Sequence, residues 1–337
     1  MIAYYVHHRG SGHAHRAAAI AAHTRTEIIG LSSAPAPPGW AGRWTRLPDD
    51  DAVTDVSARD VTAGGTLHWV PLDHTGLRGR MSRIGEVLAQ RPIRLMVTDV
   101  SVEVSLLARL HGVPVVVMAQ PGDRTDRAHR TAYDLAVSLL APWPSRPQPD
   151  WPREWRDKTV HLGGLSRFDA VTAAVPGETR RVLVLCGSGG LDVTPDDLRA
   201  AAIATPDWTW EVAGGPPRGV PGPPNLRWHG WLDQPWDAMS SANIVVTHAG
   251  QNAVAEVAAA RRPAVVIPQQ RPHGEQHATA TALRDAGIGV VADRWPPARQ
   301  WRSLLEQALH RGGHRWCEWS RGDAAARAAA ELDRLAE

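Results

Sequence analysis

Lysine is nearly absent: Lys158 is the only one in 337 residues, and arginine supplies the remaining basic charge. With 37 basic and 35 acidic residues the net charge is +2, which excludes a nucleic-acid binder that works by bulk charge. Cysteine is scarce too. Cys186 and Cys317 cannot build a disulfide framework or a four-cysteine zinc site, and leave room for one bridge at most. No apolar run approaches the ~20 residues that span a bilayer. The chain opens without a basic n-region and cleavage site, so a cytoplasmic protein is expected. Phenylalanine occurs once, against fifteen tryptophans. What is present, 43% apolar and 21% charged residues, is the balance of a soluble globular protein. At roughly 150 residues per domain, the length suggests two domains.

Short apolar runs alternate with helical patterns. Ile2–His7 reads as a strand and Ala14–Ala22 as a helix. Arg94–Thr98, Val102–His111 and Val113–Met118 read as strand, helix and strand. After a break, Arg181–Cys186, Trp208–Ala213, Asn225–His229, Ile244–Thr247, Ala264–Ile267 and Ile288–Val291 read as strands, with helices between several of them. The rhythm implies parallel sheets covered by helices. Ala141–Trp155 holds five prolines in fifteen residues, which suits neither a helix interior nor a central strand. The expected organisation is therefore a domain over 1–141, a linker over 142–157, a second domain over 158–318 and a C-terminal helix over 319–337. The expected fold class is α/β, two facing Rossmann-like domains with a cleft between them. Ligands then belong at the carboxyl ends of the strands.

Four segments stand at such ends. In the first, His7-His8-Arg9-Gly10-Ser11-Gly12-His13, a strand turns on two glycines into a helix. Histidine there titrates near neutrality and can take a proton from a hydroxyl, although a plain solvated turn is an equal reading. His13 and His15 diverge on a helix, which disfavours zinc. The second, Gly187-Ser188-Gly189-Gly190, lets backbone approach a phosphate. It is neither a Walker A loop, since no Gly-Lys-Ser/Thr follows, nor a dinucleotide fingerprint. The third, His248-Ala249-Gly250-Gln251-Asn252-Ala253, opens a helix whose first N–H groups suit an anion. Glu256 lies on the same face as Asn252, where it can accept from ribose hydroxyls or simply meet solvent. The fourth, Pro268–Gln276, brings Glu275 and Gln276 to a helix start, as sugar ligands or caps.

Together these segments resemble nucleotide-sugar glycosyltransferases of the GT-B fold. His248-x-Gly250-x-Asn252 with Glu256 resembles their donor signature. Glu275-Gln276 is similar to the acidic-Gln pair that touches the donor sugar, and Gly230-Trp231-Leu232 with Gln234 to the nucleobase segment. The Gly12-His13 turn resembles the acceptor-side loop. Asp99 ends a strand where plant-type members keep a histidine-orienting aspartate. Gly187–Gly190 resembles the glycine loop of the MurG-like, family 28 GlcNAc transferases. Three features depart from the pattern. Ala253 replaces a Ser or Thr, Glu275 replaces the commoner Asp, and the Trp231 segment lacks the Trp-x-Pro-Gln order.

The resemblance implies an inverting transfer from a nucleoside diphosphate sugar, UDP- or dTDP-linked, with no metal or other cofactor. It implies His13 as general base, Asp99 as its partner, Glu256 on the ribose, and Glu275 and Gln276 on the sugar. Gly10, Ser11, Gly12, Glu103, Gln120 and Arg124 would line the acceptor side, and the acceptor itself stays open. Asp99 as a helix N-cap is the structural alternative. A hydrolase that shares the G-x-G-H-x-x-R turn, through His13 and Arg16, is the functional one, and a non-catalytic sensor is another. The arginines of Leu77–Arg94 leave peripheral membrane contact open, with an ordinary surface helix favoured. The oligomeric state is not legible.

Overall fold

The computed structural model describes residues 1–337 except 51–58, 147, 149, 174–176, 178, 179, 188–191 and 215–221. The chain divides into two compact units. The first is Met1–Gly163 with Asp323–Glu337, and the second is Gly164–Gly322.

Among the described residues the first unit carries seven strands: β1 (Ile2–Val6), β2 (Ile28–Ser32), β3 (Arg43–Arg46), β4 (Leu95–Asp99), β5 (Val115–Met118), β6 (Ser138–Ala141) and β7 (Thr159–His161). All pairs are parallel, in the order β3-β2-β1-β4-β5-β6-β7. The central strands are β-branched and aliphatic, and β1, β4, β5 and β6 are buried along their whole length. This is the pattern of a sheet covered on both faces. The strand order reverses between β1 and β4, which opens a crevice at their carboxyl ends.

The Pro-rich segment expected as a linker is part of this first unit. Trp143, Trp151 and Trp155 are buried, and Tyr133 meets Trp151 and Trp155 edge-on at 5.5 and 5.0 Å. Trp155 Nε1 donates to Asp134 at 2.6 Å, and β7 then joins the sheet beside β6. Pro142, Pro144 and Pro152 lie in irregular chain beside buried tryptophans, and the division between the two units falls at Gly163/Gly164. The C-terminal helix Ala324–Ala336 also belongs here. Its buried Asp333 accepts the Arg25 and Thr26 N–H groups at 3.0 and 2.9 Å.

Helix Thr75–Gln90 turns Leu77, Ile84, Val87 and Leu88 inward. Arg80 is buried with them, ion-paired to Asp50 at 2.8 Å and bonded to the Tyr5 hydroxyl at 2.7 Å. The apolar stripe of this helix is therefore core. No helix among the described residues is long and apolar enough to cross a membrane.

The second unit carries, among the described residues, β8 (Arg181–Leu185), β9 (Thr209–Ala213), β10 (Leu226–Gly230), β11 (Ile244–Thr247), β12 (Ala264–Val266) and β13 (Val290–Val291). These are again all parallel, in the order β10-β9-β8-β11-β12-β13. Its core packs Trp208, Trp210, Trp228 and Trp301 against the valines of the central strands. Trp210 and Trp301 meet at right angles, 5.0 Å apart. Much of the tryptophan excess is therefore core volume in both units. Cys186 and Cys317 are free thiols. The strand order reverses between β8 and β11.

Candidate active site

In the first unit the site grows from the β1/β4 reversal. β1 ends at Val6, and the chain turns at Gly10, whose φ of 78° suits glycine, into helix Ser11–Ala21. The helix starts at Ser11, three residues before the expected Ala14, so His13 stands on its first turn. Register pairs Val6 with Asp99, which places the carboxylate at the end of β4. The next residue, Val100, has a φ of 66°, a costly conformation for a β-branched side chain and typical of functional turns.

Asp99 is fully buried. Its Oδ1 lies 2.9 Å from His13 Nδ1, and Arg16 holds both oxygens, Nε to Oδ2 at 3.0 Å and Nη2 to Oδ1 at 2.6 Å. Burial raises the carboxyl, but the charges of Arg16 and then His13 outweigh it and hold Asp99 well below the usual carboxylate range. An ionised Asp99 calls for a proton on His13 Nδ1, which leaves the Nε2 lone pair free to act as a base. His7 lies 5.6 Å away, ring to ring, and burial pushes its imidazole down to about 4. At neutral pH it therefore adds no competing charge. The N-cap alternative for Asp99 fails, because Ser101 caps helix Val102–Leu110 by accepting from Val104 N–H at 3.2 Å.

The other residues expected on the acceptor side hold the local structure together. Gly10 and Ser11 are exposed at the turn and Gly12 is half-buried. Glu103 accepts from the His68 and Trp69 N–H groups at 2.8 and 3.1 Å, and from the Ser101 hydroxyl at 3.0 Å, so it clamps a loop. Gln120 is half-buried, and its N–H donates to the Tyr133 hydroxyl. Arg124 is buried and donates to the Pro121 carbonyl from Nε and Nη2 at 3.2 and 3.0 Å. Its Nη1 lies 3.3 Å from His129 Nε2. That contact assigns the His129 proton to Nδ1, which faces Asp126 at 2.5 Å. His68 stands beside them, 4.5 Å from the His129 ring. In this tautomer both His129 ring nitrogens are engaged, Nδ1 with Asp126 and Nε2 with Arg124.

In the second unit the corresponding reversal brings Gly187, just past β8, beside the turn after β11. His248 lies between two glycines. Its Nδ1 accepts from Gly250 N–H at 3.0 Å. A Cβ on Gly187 would lie 2.4 Å from Nε2, and one on Gly250 would lie 2.5 Å from Cε1. With Nδ1 accepting, Nε2 carries the proton. Burial, then Arg271, pushes this imidazole down to about 4, so it is a neutral donor. Gly250 caps helix Gln251–Ala260, and the half-buried Gln251, Asn252 and Ala253 form its first turn. The Gly250 N–H is engaged by His248, which leaves the Asn252 and Ala253 N–H groups at the helix start for a ligand. Ser188, Gly189 and Gly190 lie outside the described residues.

Gln276 is buried, and its Oε1 accepts from Gln269 N–H at 3.0 Å. Its Nε2 would lie 3.8 Å from a Cβ on Gly250, so the fourth segment reaches the third. Glu275 is half-buried and opens helix Glu275–Asp285 after His273 and Gly274, both at φ above 60°. Trp231 is 54% exposed just past β10, with Nε1 donating to Asp233 Oδ1. Leu232 is half-buried beside it.

Arg167 carries no sequence signal, yet it joins two of these segments. Its Nε donates to Glu256 Oε1 at 2.9 Å and its Nη1 to the Asp233 carbonyl at 3.1 Å. Burial raises the Glu256 carboxyl and Arg167 pulls it down. The net effect is upward, and the arginine holds the carboxyl group in place on the face shared with Asn252.

Residues 224–298 match the glycosyltransferase family 28 C-terminal domain. A curated relative is the UDP-N-acetylglucosamine--N-acetylmuramyl-(pentapeptide) pyrophosphoryl-undecaprenol N-acetylglucosamine transferase of Frankia casuarinae. It is 29% identical over 235 residues, which are 62% of this chain. The chain spans 59% of that relative's length. Among solved structures, the glycotransferase of kitacinnamycin superposes with a TM-score of 0.74 at 18% identity, over 99% of this chain and 98% of that one. MurG of Acinetobacter baumannii superposes with a TM-score of 0.63 at 16% identity, over 99% of each chain. These superpositions establish the fold.

Proposed function

We propose that this chain, a MurG-like family 28 protein of the GT-B fold, transfers a sugar from a nucleoside diphosphate sugar to a hydroxyl acceptor with inversion at the anomeric carbon. The observation that carries the reading is the His13–Asp99 contact at the β1/β4 reversal, 2.9 Å between Nδ1 and a fully buried carboxylate. That geometry supports Nε2 as a base in the first unit, as in other histidine–carboxylate pairs.

In this mechanism His13 Nε2 takes the acceptor hydroxyl proton as the oxygen attacks C1 of the sugar. The bond from C1 to the diphosphate oxygen breaks, and the nucleoside diphosphate leaves. Negative charge on it is met by the Asn252 and Ala253 N–H groups at the helix start and by His248 Nε2–H. These donors need no metal to do that work. Glu256, held by Arg167, accepts from the ribose, and Trp231 offers an exposed ring for the base to stack on. Glu275 and Gln276 serve the sugar. The Frankia relative's name specifies UDP-N-acetylglucosamine and an undecaprenol-linked acceptor. Accordingly a UDP-sugar, UDP-GlcNAc or a UDP-hexose, is the leading donor, with dTDP-sugars next, and a lipid-linked acceptor at a membrane surface is one candidate.

A thermal-shift screen of nucleoside diphosphates tests the donor half. A ligand that binds only the native state raises its melting temperature. UDP or dTDP is expected to do so, and silence with both defeats the reading. A second reading, hydrolysis with water in place of the acceptor, is favoured by Arg16 completing the Gly10–Arg16 turn against Asp99. Rapid UDP release without acceptor would select it.

A further inference from the structure

Arg16 stands three residues after His13 on the same helix face. It is 3% exposed and ion-paired to the fully buried Asp99. A buried ion pair is commonly no more stable than an apolar replacement of similar size. What the arginine does is geometric. Nε and Nη2 grip the two Asp99 oxygens at 3.0 and 2.6 Å, and Nη2 comes within 3.2 Å of His13 Nδ1. A two-point grip fixes the rotation of the carboxylate, which one imidazole contact cannot do. It also settles a competition at His13 Nδ1. Were the carboxylate turned away, the Arg16 N–H would donate to that nitrogen, and the imidazole proton would move to Nε2, where it blocks a base.

We propose that Arg16 is a positioning residue: by holding both oxygens of Asp99 it keeps the His13 proton on Nδ1 and the Nε2 lone pair available. The inference rests on reading His13 as the base, and it deepens that reading. Lysine cannot replace Arg16, because a single ammonium holds one oxygen at a time.

The test is ring ¹⁵N NMR of the full chain at pH 8, with the His13 signals assigned by their loss in His13→Gln. Wild type is expected to show the Nδ1–H tautomer. Both variants release the Asp99 carboxylate, so Arg16→Met is expected to show an averaged signature, and Arg16→Lys, which keeps a donor beside Nδ1, an averaged or Nε2–H one. UDP release from a UDP-sugar should fall at least about tenfold in both variants while UDP affinity is unchanged. A folded variant of either kind that keeps the wild-type tautomer overturns the proposal. Arg16→Lys keeps the charge and decides the matter if Arg16→Met fails to fold. Turnover that persists in His13→Gln would instead defeat the base assignment, and the tautomer measurement would still report on Arg16.

Discussion

Arg167 Nε donates to the Glu256 carboxylate at 2.9 Å, across 89 positions of sequence, and its Nη1 holds the Asp233 carbonyl. One guanidinium thus braces both the residue assigned to the ribose and the segment assigned to the base. Burial raises the Glu256 carboxyl and Arg167 opposes that rise. Arg167→Ala should therefore weaken UDP binding about tenfold, and more as pH falls, because the buried carboxyl then keeps its proton. Calorimetric titrations of UDP at pH 8 and pH 6 check this. Equal affinity in the variant and wild type at both values counts against the bracing role.

Glu256→Gln separates ribose recognition from general damage. It should weaken UDP about tenfold and leave 2′,3′-dideoxy-UDP unchanged, since only the hydroxyls donate to the carboxylate. A parallel loss for both nucleotides would remove Glu256 from the ribose.

The glycines flanking His248 give a steric prediction. A methyl group on Gly187 or Gly250 falls within 2.5 Å of the imidazole, and overpacking of this kind costs about 1–3 kcal/mol. Because the displaced ring is a proposed phosphate donor, Gly187→Ala and Gly250→Ala should reduce UDP affinity at least about tenfold. The far-UV circular dichroism should stay that of the wild type. Unaltered UDP binding in both variants would show that His248 takes no part.

Stability should fall in mild acid. Burial pushes the His7, His129 and His248 imidazoles from 6.5 down to about 4 in the folded chain. Between those values the unfolded chain binds more protons than the native one. The contribution is fully present above 6.5 and is lost as pH falls toward 4. Calorimetric melting temperatures should drop steadily over that interval, and less steeply in His7→Asn. A profile flat from pH 7 to 4.5 contradicts the burial of these rings.

Trp155→Ala tests the correction at the chain's Pro-rich segment. A flexible linker would tolerate the change, whereas a buried tryptophan bonded to Asp134 should cost about 3–5 kcal/mol in urea unfolding. Limited proteolysis should spare 150–157 in the wild type.

The residues show why some of this was legible. His13, Gly187, His248 and Gly250 each follow an apolar run that reads as a strand, and a parallel sheet fixes which end carries ligands. Asp99 was legible for the same reason. The segment Ile28–Arg46 escaped notice, because β3 is half polar and short, with arginines at both ends. The Pro-rich segment misled because proline density signals irregular backbone and is silent on burial, which the tryptophans decide. Arg167 could not be found, since a loop arginine acquires its meaning only from chain 89 residues away. Glu103 and Arg124 were read by position after strands, yet both bond nearby backbone and a neighbouring side chain, Ser101 and His129 respectively.

The central claim is that His13 removes the acceptor proton while a separate group of residues holds the donor. UDP binding and UDP release from UDP-GlcNAc, measured together in wild type and His13→Asn, test it most directly. The account predicts matching UDP affinities, with release lost by at least about a hundredfold in the variant, for hydroxyl acceptors and water alike. Wild-type release by His13→Asn, or no UDP binding by either protein, would contradict it.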